Sequence, residues 1–93
     1  MITREEILEN ADIAKLIGSY FPLIPVDEDA FSALCPFHHE KSASFIVTPK
    51  RRSYRCSDCG AEGNVVDFVI RYEHVDEKRA LQMLAQWLGE KRV

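Results

Sequence analysis

A chain of 93 residues, 46% hydrophobic and 29% charged, has the balance of one folded domain rather than of a disordered tail. Its 12 basic and 15 acidic side chains leave a formal charge of −3, which excludes a basic tail protein, and the length excludes a large catalytic fold. No apolar run approaches the roughly 18 residues of a membrane span. The start, Met1-Ile-Thr-Arg-Glu-Glu, has no apolar signal core, so a cytoplasmic protein without a membrane partner is expected.

Thr3-x-x-Glu6 is a capping-box pattern followed by Ile7, Leu8 and Ala11, and predicts a short helix. Asp12 can cap a second, with Ile13, Leu16, Ile17 and Tyr20 at helical spacing and Pro22 as its stop. Leu23 to Val26 reads as a strand that Pro25 confines to an edge. Asp27-Glu28-Asp29 is a polar turn, and Phe31 to Leu34 is the next strand. Phe45 to Thr48, the turn Pro49 to Arg52 and Ser53 to Cys56 form a β-hairpin. Gly60 and Gly63 punctuate a loop. Asn64 is an N-cap before Val65, Phe68, Val69 and Tyr72. Asp76 caps a last helix with Leu81, Leu84, Ala85 and Leu88 on one face, which Gly89 is expected to end.

Three cysteines, an odd number in a chain without a secretion signal, point to metal rather than to disulfides. Cys35-Pro36-Phe37-His38 and Cys56-Ser57-Asp58-Cys59 are two knuckles, each with a two-residue gap, and seventeen residues lie between His38 and Cys56. A gap of that size lets one tight turn aim both side chains at a single ion, and zinc takes four such ligands in a tetrahedron. One structural zinc is therefore expected on Cys35, His38, Cys56 and Cys59. Spacing favours His38 over His39, although a three-residue gap would also reach. His39 and His74 read as surface histidines. His38-x-Glu40 with Cys56-x-x-Cys59 echoes the zinc deaminases. However, Arg55 rather than proline precedes Cys56, and Cys35 would fill the position that a catalytic zinc leaves to water.

Charge is unevenly spread. Residues 1–34 carry two basic and seven acidic side chains, whereas residues 35–60 carry Lys41, Lys50, Arg51, Arg52 and Arg55 against Glu40 and Asp58. A polyanion meets local charge, not the total. Phe45 and Tyr54 share the hairpin with four of these cations, and cations beside aromatic faces are what single strands bind. One face of such a sheet must be buried, so Phe45 is equally a core candidate.

The run Cys35-Pro-Phe-His-x-Glu-Lys-Ser-Ala-Ser-Phe, then Tyr-x-Cys-x-x-Cys-Gly-x-x-Gly-Asn and Asp67-Phe68, closely resembles the N-terminal zinc-binding domain of DnaG-type bacterial and phage primases. Ala11-Asp12-Ile13 with Leu16-Ile17 resembles the helix before that family's first strand. The resemblance implies an α+β fold, a zinc ribbon on a small antiparallel sheet flanked by N- and C-terminal helices. It runs over nearly the whole chain, and residues 1–93 are expected to be one domain with the ribbon core at about 31–68. It implies the same four zinc ligands and binding of single-stranded template DNA. Primer synthesis in DNA replication would be carried out by a separate catalytic primase domain, with a replicative helicase as a further partner. Lys41, Phe45, Tyr54 and Arg55 fall at the family's motif and sheet positions, and no catalytic residues are expected within the 93.

Three departures stand out. Ser57 replaces the usual phenylalanine, Ala43 the usual proline, and Asp27-Glu28-Asp29 a basic, glycine-containing turn. They lean toward a divergent phage, plasmid or mobile-element relative and predict that the acidic turn stays away from the strand. The site expected for nucleic acid is Lys41, Phe45, Lys50, Arg51, Arg52, Tyr54 and Arg55. The alternative is a protein-interaction or regulatory module that keeps the ribbon but no longer reads template. Its docking surfaces would be the acidic N-terminal third and the last helix with Met83 and Trp87, for which core packing is the stronger reading.

Overall fold

The computed structural model describes residues 3–37, 45–57 and 60–91, with side chains through residue 89. Helix α1 (Arg4–Asn10) starts where Thr3 Oγ1 accepts the Glu6 N–H at 3.2 Å. Helix α2 (Ile13–Gly18) starts where Asp12 Oδ1 accepts from Ala14 and Lys15 at 3.0 and 3.2 Å. Both caps stand where the sequence puts them, because a carboxylate or hydroxyl satisfies donors that the first turn leaves unpaired. The end of α2 comes earlier than the apolar spacing suggests. It stops at Gly18, and Tyr20 lies in the following turn with its N–H on the Ile17 carbonyl at 3.0 Å. The Tyr20 ring still enters the core, 5.6 Å from Phe68 and 4.8 Å from Tyr72.

Five strands, β1 (Ile24–Asp27), β2 (Ala30–Ala33), β3 (Phe45–Thr48), β4 (Ser53–Cys56) and β5 (Glu62–Gly63), form one antiparallel sheet in the order β1-β2-β3-β4-β5. The first four match the expected strands to within a residue. The loop expected around Gly60 and Gly63 contains the fifth, a two-residue strand paired with Tyr54 and Arg55. It is too short to show a period of two.

Register sorts the sheet into two faces. Phe31, Val47 and Tyr54 form one rung, and Ala33, Phe45 and Cys56 another. Both rungs face the helices, and Phe45, Val47 and Cys56 are fully buried. Ser32, Ile46, Arg55 and Glu62 form the rung between them, on the outer face.

Helix α3 (Val65–Glu73) buries Val65, Val66, Phe68 and Val69. Its start is a full capping box, with Asn64 Oδ1 accepting from the Asp67 N–H and Asp67 Oδ2 accepting from the Asn64 N–H, both at 3.0 Å. Helix α4 (Glu77–Lys91) begins with Asp76 Oδ1 accepting from Arg79 N–H at 2.8 Å. It runs through Gly89 rather than ending there. A lone glycine in a helix costs about 1 kcal/mol but does not force a stop. Ala80, Leu84 and Leu88 are buried, and Met83 and Trp87 pack partly buried against the same core. An exposed pair, Arg4 Nε to Glu77 Oε1 at 3.0 Å, links α1 to α4. Its contribution is small because water screens it.

Gly63 sits against the capping box. A Cβ there would lie 2.5 Å from both Asp67 Cβ and Asp67 Oδ2, so any side chain displaces the carboxylate that holds the start of α3. Gly63→Ala should therefore lower unfolding free energy by about 1–3 kcal/mol, the range of a lost cap plus overpacking. Urea denaturation monitored by circular dichroism measures it. An unchanged midpoint would show that α3 yields without cost.

Candidate functional site

The described cysteines lie at one end of the sheet. Cys56 ends β4 in the rung with Phe45 and Ala33, and Cys35 lies two residues beyond Ala33 at the end of β2. Cys35 is 5% exposed and Cys56 is fully buried. Backbone bonds close the turn after Cys56. Its carbonyl accepts from Gly60 N–H at 2.9 Å, and its N–H donates to the Ala61 carbonyl at 2.8 Å. Gly60 holds φ +75 there, a region open to glycine without strain.

The first knuckle is anchored by its own phenylalanine. The Phe37 ring lies 6.1 Å from Phe45, 5.9 Å from Tyr54 and 5.7 Å from Phe68. The turn carrying Cys35 is thereby packed onto the same aromatic core that carries Cys56. Two buried thiols brought to one sheet end by two turns fit a structural zinc, whose soft, tetrahedral coordination favours thiolates. His38 and Cys59, like His39 and Lys41, lie outside the described residues. Among the described residues no three His, Cys, Asp or Glu side chains are grouped to hold a metal.

The hairpin cations separate. Arg51 and Arg55 wall an open groove on the outer face with Ile46, Thr48, Ser57 and Glu62. Arg52 ends the hairpin turn at φ +53 and lines a different depression beside Glu9 and Asp12. Lys50 Nζ meets Asp29 Oδ1 at 2.9 Å in an exposed pair. The acidic β1–β2 turn thus reaches the hairpin tip and offsets one of its charges.

The base-stacking role expected of Phe45 and Tyr54 is corrected. Phe45 is fully buried and Tyr54 is 2% exposed. Both rings pack against Phe68, at 6.4 and 5.7 Å. Alternation along a strand allows only every second residue to face outward, and these two share the inner face. The outer rung carries no aromatic residue in their place.

Two residues that the sequence left aside are brought together at the end of α3. Arg71 and His74 face the first knuckle across a second cleft, which Pro36 and Phe37 also line. No spacing rule joins positions 37 and 71; only the packing of the Cys35 turn on α3 does.

A family model for the CHC2 zinc finger matches residues 2–92. The chain belongs to the CHC2 zinc-finger family. It is 39% identical over 85 residues to the DNA primase of Pasteurella multocida, covering 91% of this chain and 14% of that protein. To the Thermotoga maritima DNA primase it is 41% identical over 85 residues, covering 91% of this chain and 15% of that protein. The crystal structure of the Aquifex aeolicus primase, which holds zinc-binding and RNA polymerase domains, superposes with a TM-score of 0.86. Identity there is 32%, over 91% of this chain and 21% of the other. The CHC2 chain thus has the fold of the N-terminal zinc-binding domain of DnaG-type primases, and zinc is the metal of its family. It spans less than a fifth of the length of the curated primases it matches. Among the described residues no helix is long and apolar enough to cross a membrane.

Proposed function

We infer that the chain holds one structural zinc on Cys35, His38, Cys56 and Cys59 and contacts single-stranded template DNA through its outer sheet face. It would thereby serve a primase catalytic domain that makes RNA primers during DNA replication. The observation that carries the reading is the open groove beside β4, walled by Arg51 and Arg55, in a domain similar to those of DNA primases. A helicase partner rests on the family resemblance alone.

The chemistry of the groove is electrostatic. Two exposed guanidiniums offer forked donors that suit phosphate oxygens, and Ile46 adds an apolar side chain to the same groove. Glu62, the register partner of Arg55, tempers the charge. The outer rung lacks a ring on which bases could stack, so contact with the sugar-phosphate chain dominates. Binding by the isolated domain is accordingly weak and strongly salt-dependent. Lys41 would extend the track from outside the described residues.

Replacing Arg51 and Arg55 with Ala should weaken binding of a short oligothymidylate. The slope of log K against log salt should flatten by about 1.4, two phosphate contacts at the single-strand coefficient. Arg52→Ala should change it far less, because Arg52 lines a different depression, shared with Glu9 and Asp12. Fluorescence anisotropy over a salt series measures both. A double variant that binds as the parent does refutes the outer face as the contact. A parent that fails to bind at low salt refutes template contact by this domain.

A further inference from the structure

The acidic turn and the basic hairpin tip leave the sheet at the same end. Asp27 pairs with Ala30 across the β1–β2 turn, Thr48 with Ser53 across the hairpin turn, and Phe31 of β2 with Val47 of β3. The two turns are thereby neighbours, at the end opposite Cys35 and Cys56. The register slips between Pro25 and Asp27, so Val26 is an extra residue in β1. A bulge of this kind bends its strand and strengthens the local twist. Asp27 Oδ1 accepts the Asp29 N–H at 2.7 Å, which ties the turn into one shape.

That shape presents the Asp29 carboxylate to the hairpin. Asp29 Oδ1 stands 2.9 Å from Lys50 Nζ, with 50% of the aspartate and 77% of the lysine side chain exposed. Water reaches both groups, so the pair adds little to the stability of the fold and separates easily. Its consequence lies in what Lys50 can hold. Lys50 and Arg51 are adjacent in the single 3-10 turn Pro49–Arg51, and Arg51 walls the outer groove. A phosphate chain that leaves the groove over Arg51 meets Lys50 next, already engaged by a carboxylate. Carboxylate and phosphate make the same demand on an ammonium group, a charge-assisted hydrogen bond.

We propose that the β1–β2 turn is a built-in competitor of the template backbone: Asp29 holds Lys50 in the free domain, and a strand uses the hairpin tip only by displacing it. This rests on the outer-face reading of template contact. Asp27-Glu28-Asp29 carries three acidic side chains in succession, so the displaced carboxylate stays in a locally negative field that opposes a second polyanion. The groove itself stays open, since neither Asp29 nor Lys50 lines it. Strands short enough to lie within the groove escape the competition, and strands that extend past Arg51 do not. The turn thereby sets how tightly a longer strand is held.

A double-mutant cycle on the zinc-loaded 93-residue chain tests this. The probe is a labelled oligothymidylate long enough to pass the hairpin tip, followed by fluorescence anisotropy over a salt series. Asp29→Asn should tighten binding about threefold, the scale of one exposed charge contact. It should also steepen the slope of log K against log salt by about 0.7, one further phosphate at the single-strand coefficient. On a Lys50→Ala background the same Asp29→Asn change should leave the slope where it was. Glu28→Gln, which removes a charge from the turn but leaves Lys50 its partner, should not steepen the slope either. An Asp29→Asn variant that binds as the parent does overturns the proposal, and so does a slope that steepens equally on the Lys50→Ala background. Failure of the outer-face reading shows separately, as oligothymidylate binding untouched by Arg51→Ala/Arg55→Ala. If the parent binds no oligothymidylate, the same cycle is read with inorganic polyphosphate, and a missing Asp29→Asn gain there overturns the competition equally.

Discussion

Stripping the zinc from this domain should unfold its sheet. Structural zinc contributes about 10 kcal/mol or more in small zinc-finger peptides near neutral pH, whereas a whole domain is stable by only about 5–15 kcal/mol. Cys35 and Cys56 both lie at the sheet end where β2 and β4 finish. Without the ion, nothing joins the turns that follow the ends of β2 and β4. Excess chelator should therefore abolish the cooperative melt and the β-sheet part of the circular dichroism spectrum. Helix α4 should retain partial signal because its caps are local. Cys56→Ser and Cys59→Ser should each reproduce the chelated state. His38→Ala should lose zinc and His39→Ala should keep it, as metal analysis of the purified variants would record. A cooperative native melt after chelation would sink the structural role, and zinc lost from His39→Ala alone would move the ligand by one residue.

Phe68→Ala should destabilise the zinc-loaded protein by about 4 kcal/mol, within the range for emptying a buried aromatic site. Phe68 is fully buried. Its ring lies 5.6 Å from Tyr20, 5.7 Å from Phe37, 5.7 Å from Tyr54 and 5.3 Å from Tyr72. It joins the turn after α2, the first zinc knuckle, the hairpin and α3 in one contact set. Removing it costs the transfer energy of the ring and leaves a cavity that four separate elements would have to collapse together to fill. Phe68→Leu should cost far less, because much of the volume stays. Denaturant titration in excess zinc reads both. A loss below about 1 kcal/mol for the alanine variant would show that the core collapses around the gap. Because Phe37 shares this core, weaker zinc affinity should accompany the lost stability.

The local features of this protein are written in its sequence. Thr3, Asp12, Asn64 and Asp76 cap the helices they precede, because a cap needs only a short polar side chain and the donors of the next turn. The spacing of the two knuckles is read from the sequence for the same reason, as a gap of two residues is a property of one turn. Alternation in Phe45–Thr48 and Ser53–Cys56 also reveals the hairpin.

Whether Phe45 and Tyr54 face a strand of DNA or the core is not a local property. Pairing register puts them in the rungs that α3 covers, and burial of their rings outweighs any use at the surface. The fate of the cations is tertiary too. Lys50, Arg51 and Arg52 are consecutive, yet the turn sends them to Asp29, to the outer groove and to the depression lined by Glu9 and Asp12 respectively. The cleft of Arg71 and His74 exists only because α3 packs against the turn that begins at Cys35, bringing together residues more than thirty positions apart. Sequence determined the caps and the order of elements, since each depends on neighbours within a few residues. Tertiary structure alone decided which aromatic rings are hidden and which charges stay available, since both depend on what the rest of the chain lays against them.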